Sequence, residues 1–420
     1  MPALVDESPA AVALAVGAAL GGRALAPLGT RLPVGDLAHA VIALGATDLV
    51  VSRQLAALAV EVGAVTNAAV HVLPDDFPPT SPSGAVVAGS DPVLVVHTSG
   101  TTGAPKAVTM THAAMVARIE VYGDAIELAP GDRYCSASPF HHTAGVAMAL
   151  TALGRGAAVV PQAWFSVDGW RAAGAAGITH ALLVPTMIDL LLEAGALGDA
   201  CPRVLQYGAA PIHPATLEAA LVALPSTRFA QIFGQTEVSP ITVLTHEDHL
   251  AGRLTSVGRP VAGLELRIEG ADGDGVGELA VRAPHVFVHD DDGWRRTGDL
   301  GLVDADGYVT LRGRANDLIV RGGENIYPLE VELALAAHPG VREVAVVGVP
   351  DRRYGDLVRA AVVPVDPEAP PAVDDLIAWA RARLAPFKVP NVVDLVDALP
   401  RNANGKLVRR ALIDQLEGTT

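Results

Sequence analysis

Lysine is rare in this chain, and the positions where it occurs are informative. Of 30 basic residues among 420, only Lys106, Lys388 and Lys406 are lysines, and the rest are arginines. A compact ammonium fits beside one oxygen atom, where the broad planar guanidinium does not. Lys106 and Lys406 end two loops of small residues, HTSGTTGAPK (97–106) and NANGK (402–406). Such loops can surround a phosphate with backbone N–H groups, so both lysines are candidate phosphate ligands.

The first of these loops has the composition of a polyphosphate site. Glycine allows close approach of the backbone, and the hydroxyl side chains add donors for the β- and γ-phosphates of ATP. The Walker A loop is excluded, because it requires Gly before the Lys and Ser or Thr after it, where this chain has Pro105 and Ala107. The candidate ATP ligands in this loop are Thr98, Ser99, Gly100, Thr101, Thr102, Gly103 and Lys106.

This loop resembles the phosphate-loop signature of the adenylate-forming superfamily, which includes acyl-CoA synthetases, peptide-synthetase adenylation domains and luciferases. Six further motifs of that superfamily follow in the expected order: PFHHTAG (139–145), YGAAP (207–211), FGQTE (233–237), WRRTGD (294–299), GRANDLIVRGGENIYP (313–328) and PRNANGK (400–406). The resemblance runs from about residue 90 to the C-terminus. It implies an α/β fold, with a large N-terminal domain of β-sheets flanked by helices plus a β-rich subdomain. A small mobile α+β C-terminal domain follows.

The resemblance also implies roles for residues around the nucleotide. Glu237 offers a hard carboxylate for Mg²⁺, and Thr236 a hydroxyl for the α-phosphate. Asp299, which we expect to follow a turn, and Arg314 would contact the ribose. The YGAAP stretch would border the adenine. Its ATP contacts would be Gly208, Ala209 and Ala210.

Catalytic and acyl-site roles come from the same resemblance. His142 would contact the acyl carboxylate or gate its pocket, beside His141, which stands where an aromatic residue is more usual. Lys406 would neutralise the charge that develops between the carboxylate and the α-phosphate, as a fixed cation with no proton transfer. Lys388 is assigned a packing or surface role. The acyl pocket is expected at His142, Tyr207, Phe233, Gly234 and Val238.

The later motifs concern the second half-reaction. GRANDLIV would contain the hinge, at Asn316, where relatives place Asp or Lys; Asn tolerates unusual backbone angles. Gly322 and Gly323 would leave room in a tunnel for the pantetheine arm of CoA. The run GGENIYP resembles CoA ligases more than carrier-loading adenylation domains or luciferases.

Alternating patterns predict the elements that carry these motifs. Apolar runs such as HALLVP (180–185) alternate with helical stretches, which indicates an α/β domain with buried sheets. We predict an N-terminal domain over 1–315 and a mobile domain over 316–420 with its own α+β pattern. Residues 1–90 are weakly patterned and form an abbreviated N-terminal region, since relatives place more residues before the phosphate loop. Only HDDD (289–292) remains where relatives carry a longer loop.

Composition limits the classes of protein that remain. Half of the residues are hydrophobic and 18% are charged, which is typical of a globular chain. A net charge of −16 argues against a nucleic-acid backbone as partner. Cys135 and Cys201, both interpreted as buried, fit a reducing compartment. The apolar stretch 10–22 is too short to span a membrane, so we expect a cytoplasmic protein.

The sequence therefore predicts an ATP-, Mg²⁺- and CoA-dependent acyl- or aryl-CoA ligase. The alternative is an adenylating enzyme that passes the acyl group to a carrier-protein phosphopantetheine or another nucleophile, and a non-catalytic nucleotide-binding protein is a third hypothesis. Few charges near the expected pocket favour an apolar or aromatic acid over an amino acid. The acid itself and the choice between monomer and homodimer stay open.

Overall fold

Strands and helices alternate through most of the chain, as the sequence pattern predicts. The computed structural model describes residues 1–74, 85–98, 106–162, 164–401 and 407–417. The α-helices there are α1 Pro9–Leu20, α2 Val34–Ala43, α3 Ala56–Thr66, α4 His112–Ala125, α5 Thr143–Gly154, α6 Val167–Ala175, α7 Pro185–Glu193, α8 Pro214–Ala223, α9 His246–Leu250, α10 Pro328–Ala336, α11 Val373–Arg381 and α12 Arg409–Glu417. Short 3₁₀ turns cover Arg53–Leu55, Leu197–Asp199, Ala315–Asp317 and Pro386–Lys388.

The strands fall into five sheets. They are β1 Pro2–Leu4, β2 Ala26–Pro27, β3 Asp48–Val51, β4 Ala69–Val72, β5 Pro92–Thr98, β6 Lys106–Thr111, β7 Arg133–Ser136, β8 Ala158–Pro161, β9 His180–Leu183, β10 Val204–Gly208, β11 Arg228–Gln235, β12 Val238–Leu244, β13 Arg259–Pro260, β14 Glu265–Glu269, β15 Gly277–Arg282, β16 Arg295–Val303, β17 Val309–Arg314, β18 Ile319–Arg321, β19 Glu324–Ile326, β20 Val341–Asp351, β21 Gly355–Pro364 and β22 Val392–Leu395.

Two compact units divide the chain. The first comprises Met1–Leu266, Val281–Arg295 and Ala305–Val309, and the second comprises Arg267–Ala280, Arg296–Asp304 and Thr310–Thr420. This division differs from the predicted boundary at 315/316. Arg267–Ala280, Arg296–Asp304 and residues 310–315 belong to the predicted N-terminal domain, but they fall in the second unit. The predicted boundary concerns a domain that moves, and that motion stays a prediction.

A seven-stranded sheet organises the first unit. Its order is β13-β12-β11-β10-β9-β7-β8; β8, β7, β9, β10 and β11 are parallel, and β12 runs antiparallel to its neighbours β11 and β13. Neighbouring residues of β10 face opposite cores: Leu205 and Tyr207 pack against one layer of helices, and Val204 packs with Tyr134 and Met148 on the other. Burial on both faces explains the continuous apolar runs in these strands.

The N-terminal residues form a small sheet of their own, which the sequence pattern did not predict. Strands β2, β1, β3 and β4 are parallel, and α2 and α3 pack on them through Leu37, Val41 and Val62. These strands have only two to four residues each, so their alternation is too short to detect. Most of the apolar stretch 10–22 lies in α1, which buries Ala11, Ala15 and Ala18.

The second unit contains two sheets. Strands β14-β15-β16-β17 form one, and the unit boundary falls within these strands. The other has the order β19-β18-β21-β20, with β22 added beside β21. The long β20–β21 pair is antiparallel; its alternating side chains pack against α10 and α11 on one face and against α12 on the other. Pro328 begins α10, where its missing N–H costs nothing.

The two cysteines and the apolar helices were also the subject of predictions. Cys135 is buried, but the prediction that Cys201 is buried is wrong, because it is exposed in the turn before β10. Among the described helices, none is both long and apolar enough to cross a membrane.

Candidate active site

Three of the predicted motifs converge at one edge of the seven-stranded sheet. YGAAP spans the end of β10, FGQTE spans the end of β11, and PFHHTAG follows the end of β7. Because these strands are parallel, their carboxyl ends meet at the same edge, where open α/β sheets bind ligands. We refer to this as the carboxyl edge, defined by Gly208–Ala210, Thr236–Glu237 and His141–Thr143.

Glycine at position 208 is required by packing between two strands. A Cβ atom there would lie 2.2 Å from the carbonyl oxygen of Ile232 on β11, far inside van der Waals contact. The next residue, Ala209, has φ = +64°, which turns the chain sharply away from the sheet. Ala209 and Ala210 are exposed, so this turn offers its backbone to a ligand.

Tyr207 lies in the core, although the sequence placed it in the acyl pocket. Its ring is fully buried, and its hydroxyl lies 2.7 Å from Nε2 of His249, whose Nδ1 contacts the carbonyl oxygen of Thr245. Burial raises the pKa of the Tyr207 hydroxyl above its ordinary value. Only the backbone of Tyr207 is therefore left to border a ligand, since strand alternation turns the side chain inward.

The other predicted acyl-pocket residues divide in the same way. Val238 is fully buried against Ile241, whereas Phe233 and Gly234 are half-buried. The register of β11 and β12 shifts between Phe233 and Gln235, which makes Gly234 the bulged residue. Phe233 and Gly234 keep a position consistent with a pocket wall.

Thr236 and Glu237 form a two-residue turn. Gln235 pairs with Val238 across it, so the two residues project from the end of the β11–β12 hairpin. The backbone oxygen of Glu237 accepts a hydrogen bond from the N–H of Phe287 at 2.9 Å, which anchors the turn. A short hairpin thereby holds a hydroxyl and a carboxylate side by side at the carboxyl edge.

The donor set at this turn suits Mg²⁺ bound together with a nucleotide. Mg²⁺ usually takes one or two protein carboxylates, with phosphates and water completing its octahedron. Glu237 supplies one carboxylate, and within the described part of the chain no three His, Cys, Asp or Glu side chains cluster to form an all-protein site.

Glu237 Oε1 also lies 3.2 Å from Nη2 of Arg295, and each of these side chains is 17% exposed. Arg295 was not assigned a role from the sequence, although WRRTGD contains it.

His142 occupies the start of α5. It is the N-cap residue of that helix, half-buried, and its ring centroid lies 4.2 Å from that of His141. Burial lowers the pKa of His142 below its ordinary 6.5. The imidazole is therefore neutral at pH 7, and it can share a proton or hydrogen-bond with a carboxyl group without adding charge.

The phosphate loop connects a β-hairpin. Thr98 at the end of β5 pairs with Lys106 at the start of β6, and Lys106 is exposed. The candidate ligands Ser99, Gly100, Thr101, Thr102 and Gly103 lie outside the described residues, as does Lys406. Their roles stay predictions.

The two predicted ribose ligands contact each other in the second unit. Asp299 Oδ1 lies 2.8 Å from Nε of Arg314, and Arg314 Nη1 also donates to the carbonyl oxygen of Thr297. The sequence predicted that Asp299 follows a turn, but this residue lies inside β16. Gly298 before it has φ = +71°. The sheet pairs β16 with β17 and so brings together residues 15 positions apart.

The remaining predicted residues of the second unit lie in exposed turns. Asn316 is exposed in the 3₁₀ turn that follows β17. Gly322 and Gly323 form the two-residue turn between β18 and β19, with φ of +61° and +89°. Two positive φ angles are what a type I′ hairpin turn needs, which explains these glycines without a ligand. Lys388 is more than a packing residue, because its Nζ lies 2.8 Å from both carboxylate oxygens of Glu330.

This fold and edge define the class of ATP-dependent adenylate-forming enzymes with a large α/β part and a small C-terminal α+β part. The AMP-binding enzyme model matches residues 3–288, and the model of the AMP-binding enzyme C-terminal domain matches residues 330–406. The chain belongs to the AMP-binding enzyme family and is an acid–thiol ligase of the AMP-forming acyl-CoA synthetase type.

Individual relatives agree with that assignment. A fatty acid–acyl-carrier-protein ligase of Streptomyces coeruleorubidus is 34% identical, over 96% of this chain and 84% of the relative. Feruloyl-CoA synthase of an Amycolatopsis species is 33% identical, over 92% and 83%.

Solved structures share the fold. Amide bond synthetase McbA of Marinactinospora thermotolerans has a TM-score of 0.87 and 29% identity, over 99% of this chain and 89% of that one. The o-succinylbenzoate CoA synthetase of Bacillus subtilis, in complex with its acyl-adenylate intermediate, has a TM-score of 0.85 and 28% identity, over 98% and 87%.

Proposed function

We propose that this protein uses MgATP to convert an apolar or aromatic carboxylic acid into an acyl-adenylate, and then transfers the acyl group to CoA. The observation that carries the first step is the convergence of Gly208–Ala210, Thr236–Glu237 and His142 at the carboxyl edge. Backbone donors, a hydroxyl, a carboxylate and a neutral imidazole are the groups that a carboxylate and an α-phosphate require for alignment. The acid is proposed to be apolar or aromatic because Phe233 and Gly234 are the half-buried candidates for the pocket wall.

The roles of individual residues are part of this proposal. Thr236 hydrogen-bonds the α-phosphate, and Glu237 holds Mg²⁺, which when bound neutralises charge on the phosphates. His142 orients the acid, because a neutral imidazole can hydrogen-bond a carboxylate oxygen without forming a tight ion pair. Lys106 binds the departing pyrophosphate and Lys406 stabilises the charge at the α-phosphate; fixed cations do this best where water is excluded.

The second unit is proposed to contribute in the same reaction class. Asp299 and Arg314 contact the ribose hydroxyls, Asn316 is the hinge, and Gly322 and Gly323 border the pantetheine arm. The exposed, side-chain-free turn at 322–323 is compatible with that role. A cytoplasmic location is proposed as well, since free cysteines suit a reducing compartment.

An isotope-exchange assay tests the first half-reaction. Purified protein, ATP, labelled pyrophosphate and a panel of aliphatic, benzoic and cinnamic acids should give acid-dependent exchange, and Lys406→Ala should reduce it strongly. If no acid supports exchange, or if Lys406→Ala matches the parent, adenylation at this site is refuted.

A second assay separates the acyl acceptors. With an acid that supports exchange, thioester formation is followed with CoA, with a phosphopantetheine-loaded carrier protein and with a simple amine. Faster turnover with CoA supports the proposal. Transfer to the carrier alone, as the name of the Streptomyces coeruleorubidus relative suggests, or to the amine alone, replaces CoA as the acceptor while leaving the adenylation step intact.

A further inference from the structure

The ion pair between Glu237 and Arg295 lies at the point where the metal's carboxylate is expected. Nη2 of Arg295 lies 3.2 Å from Oε1 of Glu237, and both side chains are about five-sixths buried. The next carboxylate oxygen, Oδ1 of Asp290, is 3.9 Å from Nη1, beyond hydrogen-bond distance. The Nε of Arg295 is buried and has no hydrogen-bond partner among the described residues. Among the described residues, Glu237 is thus the nearest anion to this guanidinium.

A short connection produces this contact. The N–H of Phe287 binds the backbone oxygen of Glu237 at 2.9 Å, and Val286 pairs with Val238. The chain then reverses in a tight turn, in which Gly293 has φ = +77° and the N–H of Asp290 contacts the carbonyl oxygen of Trp294. Arg295 follows directly at the start of β16. Phe287 contacts the backbone of Glu237, and eight residues later Arg295 contacts the side chain of the same glutamate.

A mostly buried cation at this carboxylate has a definite electrostatic effect. At the reduced dielectric of such a site, charges a few ångströms apart interact several times more strongly than in water. Arg295 neutralises Glu237, so that an anionic triphosphate can approach without repulsion from that carboxylate. The same cation would oppose the binding of Mg²⁺, because it is positively charged and already contacts one carboxylate oxygen of Glu237.

We propose that Arg295 is a positioning residue that acts as an internal counter-ion for Glu237, and thereby reduces how strongly nucleotide binding depends on Mg²⁺. The proposal rests on the proposed role of Glu237 as the metal's carboxylate. It gives this chain a specific property: ATP binds with only a modest difference in affinity between metal-free and metal-loaded forms, because a guanidinium substitutes for the metal's charge at Glu237.

The quantity that tests this is a ratio of two dissociation constants. Calorimetric titration with ATP, in EDTA and in excess Mg²⁺ without any acid, gives Kd in each condition. Arg295→Met should raise the ratio of the metal-free Kd to the MgATP Kd about tenfold, the effect of one charge interaction of moderate strength. Any general loss of attraction for the phosphates affects both constants and cancels in the ratio.

Two variants separate the effect of charge from that of structure. Arg295→Lys keeps the cation and should leave the ratio within about threefold of the parent. Arg171→Gln, on α6, breaks two exposed ion pairs, with Asp168 and with Asp199, and should leave the ratio unchanged. If Arg295→Met does not fold, Arg295→Gln, which keeps a donor for Glu237 but no charge, has the same expected rise.

Glu237→Gln distinguishes failure of this inference from failure of the proposed function. This variant should lower the ratio, because the metal loses its carboxylate. A ratio that Glu237→Gln leaves unchanged refutes the metal role of Glu237, and the inference with it. A ratio that falls in Glu237→Gln but does not rise in Arg295→Met or Arg295→Gln overturns only the counter-ion role of Arg295.

Discussion

The two edges of the seven-stranded sheet are both rich in charge, but they use it differently. At the amino edge, where β10 and β11 begin, Arg228 lies 3.0 Å from Glu127 and 2.9 Å from Glu247, and these side chains are 37–64% exposed. At the carboxyl edge, the pair of Glu237 and Arg295 is 17% exposed. Exposed pairs are screened by water and contribute little, whereas a half-buried carboxylate can bind a metal or a counter-ion strongly.

The amino edge also has a cleft, with a volume of about 260 Å³, lined by Glu127, Arg228 and Glu247. Its charged side chains already pair with each other. The carboxyl edge presents instead a turn with φ = +64° at Ala209 and a two-residue turn at Thr236–Glu237. These backbone turns and a mostly buried carboxylate support the proposed site at the carboxyl edge.

The largest difference between the edges is expected in catalysis. Glu237→Gln should reduce acid-dependent pyrophosphate exchange roughly 100-fold, as loss of one transition-state electrostatic contact does. Its matched control at the amino edge, Glu247→Gln, removes a carboxylate of the exposed network and should change the rate less than about twofold. Equal losses in both variants would contradict the functional distinction between the edges.

A difference in packing is expected next. Gly208→Ala places a Cβ 2.2 Å from the carbonyl oxygen of Ile232 and should lower the free energy of unfolding by about 1–3 kcal/mol. Gly198→Ala, before the start of the same strand, meets no atom closer than 3.8 Å and should change it by less than about 0.5 kcal/mol. Urea unfolding monitored by fluorescence measures both; a Gly208→Ala variant as stable as the parent would show that the two strands separate easily.

Acid should destabilise the first unit through its buried histidines. Burial lowers the pKa of His142 at the carboxyl edge, and of His180 and His249 elsewhere, below 6.5. The unfolded chain then binds more protons than the folded chain. The stability that the neutral buried histidines contribute to the fold is therefore complete above pH 6.5, and it is lost as the pH falls through their lowered pKa values.

Thermal unfolding between pH 5 and pH 7.5 measures this dependence. The midpoint temperature of unfolding should decrease as the pH is lowered, and His142→Asn should make this decrease shallower. A slope unaffected by His142→Asn would assign the acid sensitivity to the other histidines and not to the carboxyl edge.

The smallest effect is expected from the exposed network itself. A double-mutant cycle between Arg228 and Glu247, using Arg228→Gln and Glu247→Gln, should give a coupling free energy of about 0.5 kcal/mol or less. Added salt should reduce it further. A coupling of several kcal/mol would mean that the amino edge is a structural clamp comparable to the carboxyl edge.

Sequence patterns located the motifs well, because each is a local turn with its own residue requirements. YGAAP and FGQTE span the ends of buried strands, and Pro328 begins a helix. The side-chain assignments were less accurate. Tyr207 was placed in the acyl pocket, but the alternation of side chains along β10 directs it into the core. A motif does not reveal which face of the sheet each of its residues occupies, and a shift of one residue reverses the face.

Sequence alone showed the family resemblance, the α/β class and the order of the motifs, and it predicted a chemistry of ATP, metal and carboxylate. These depend on residue type and short spacing, which a linear chain displays directly. Folding was needed to show that the glycine at 208 faces the Ile232 carbonyl, that Tyr207 binds His249, and that Arg295 returns to Glu237. Each of these contacts joins residues 24 to 58 positions apart, and such pairs are set by strand register and loop length, which composition and local pattern do not encode.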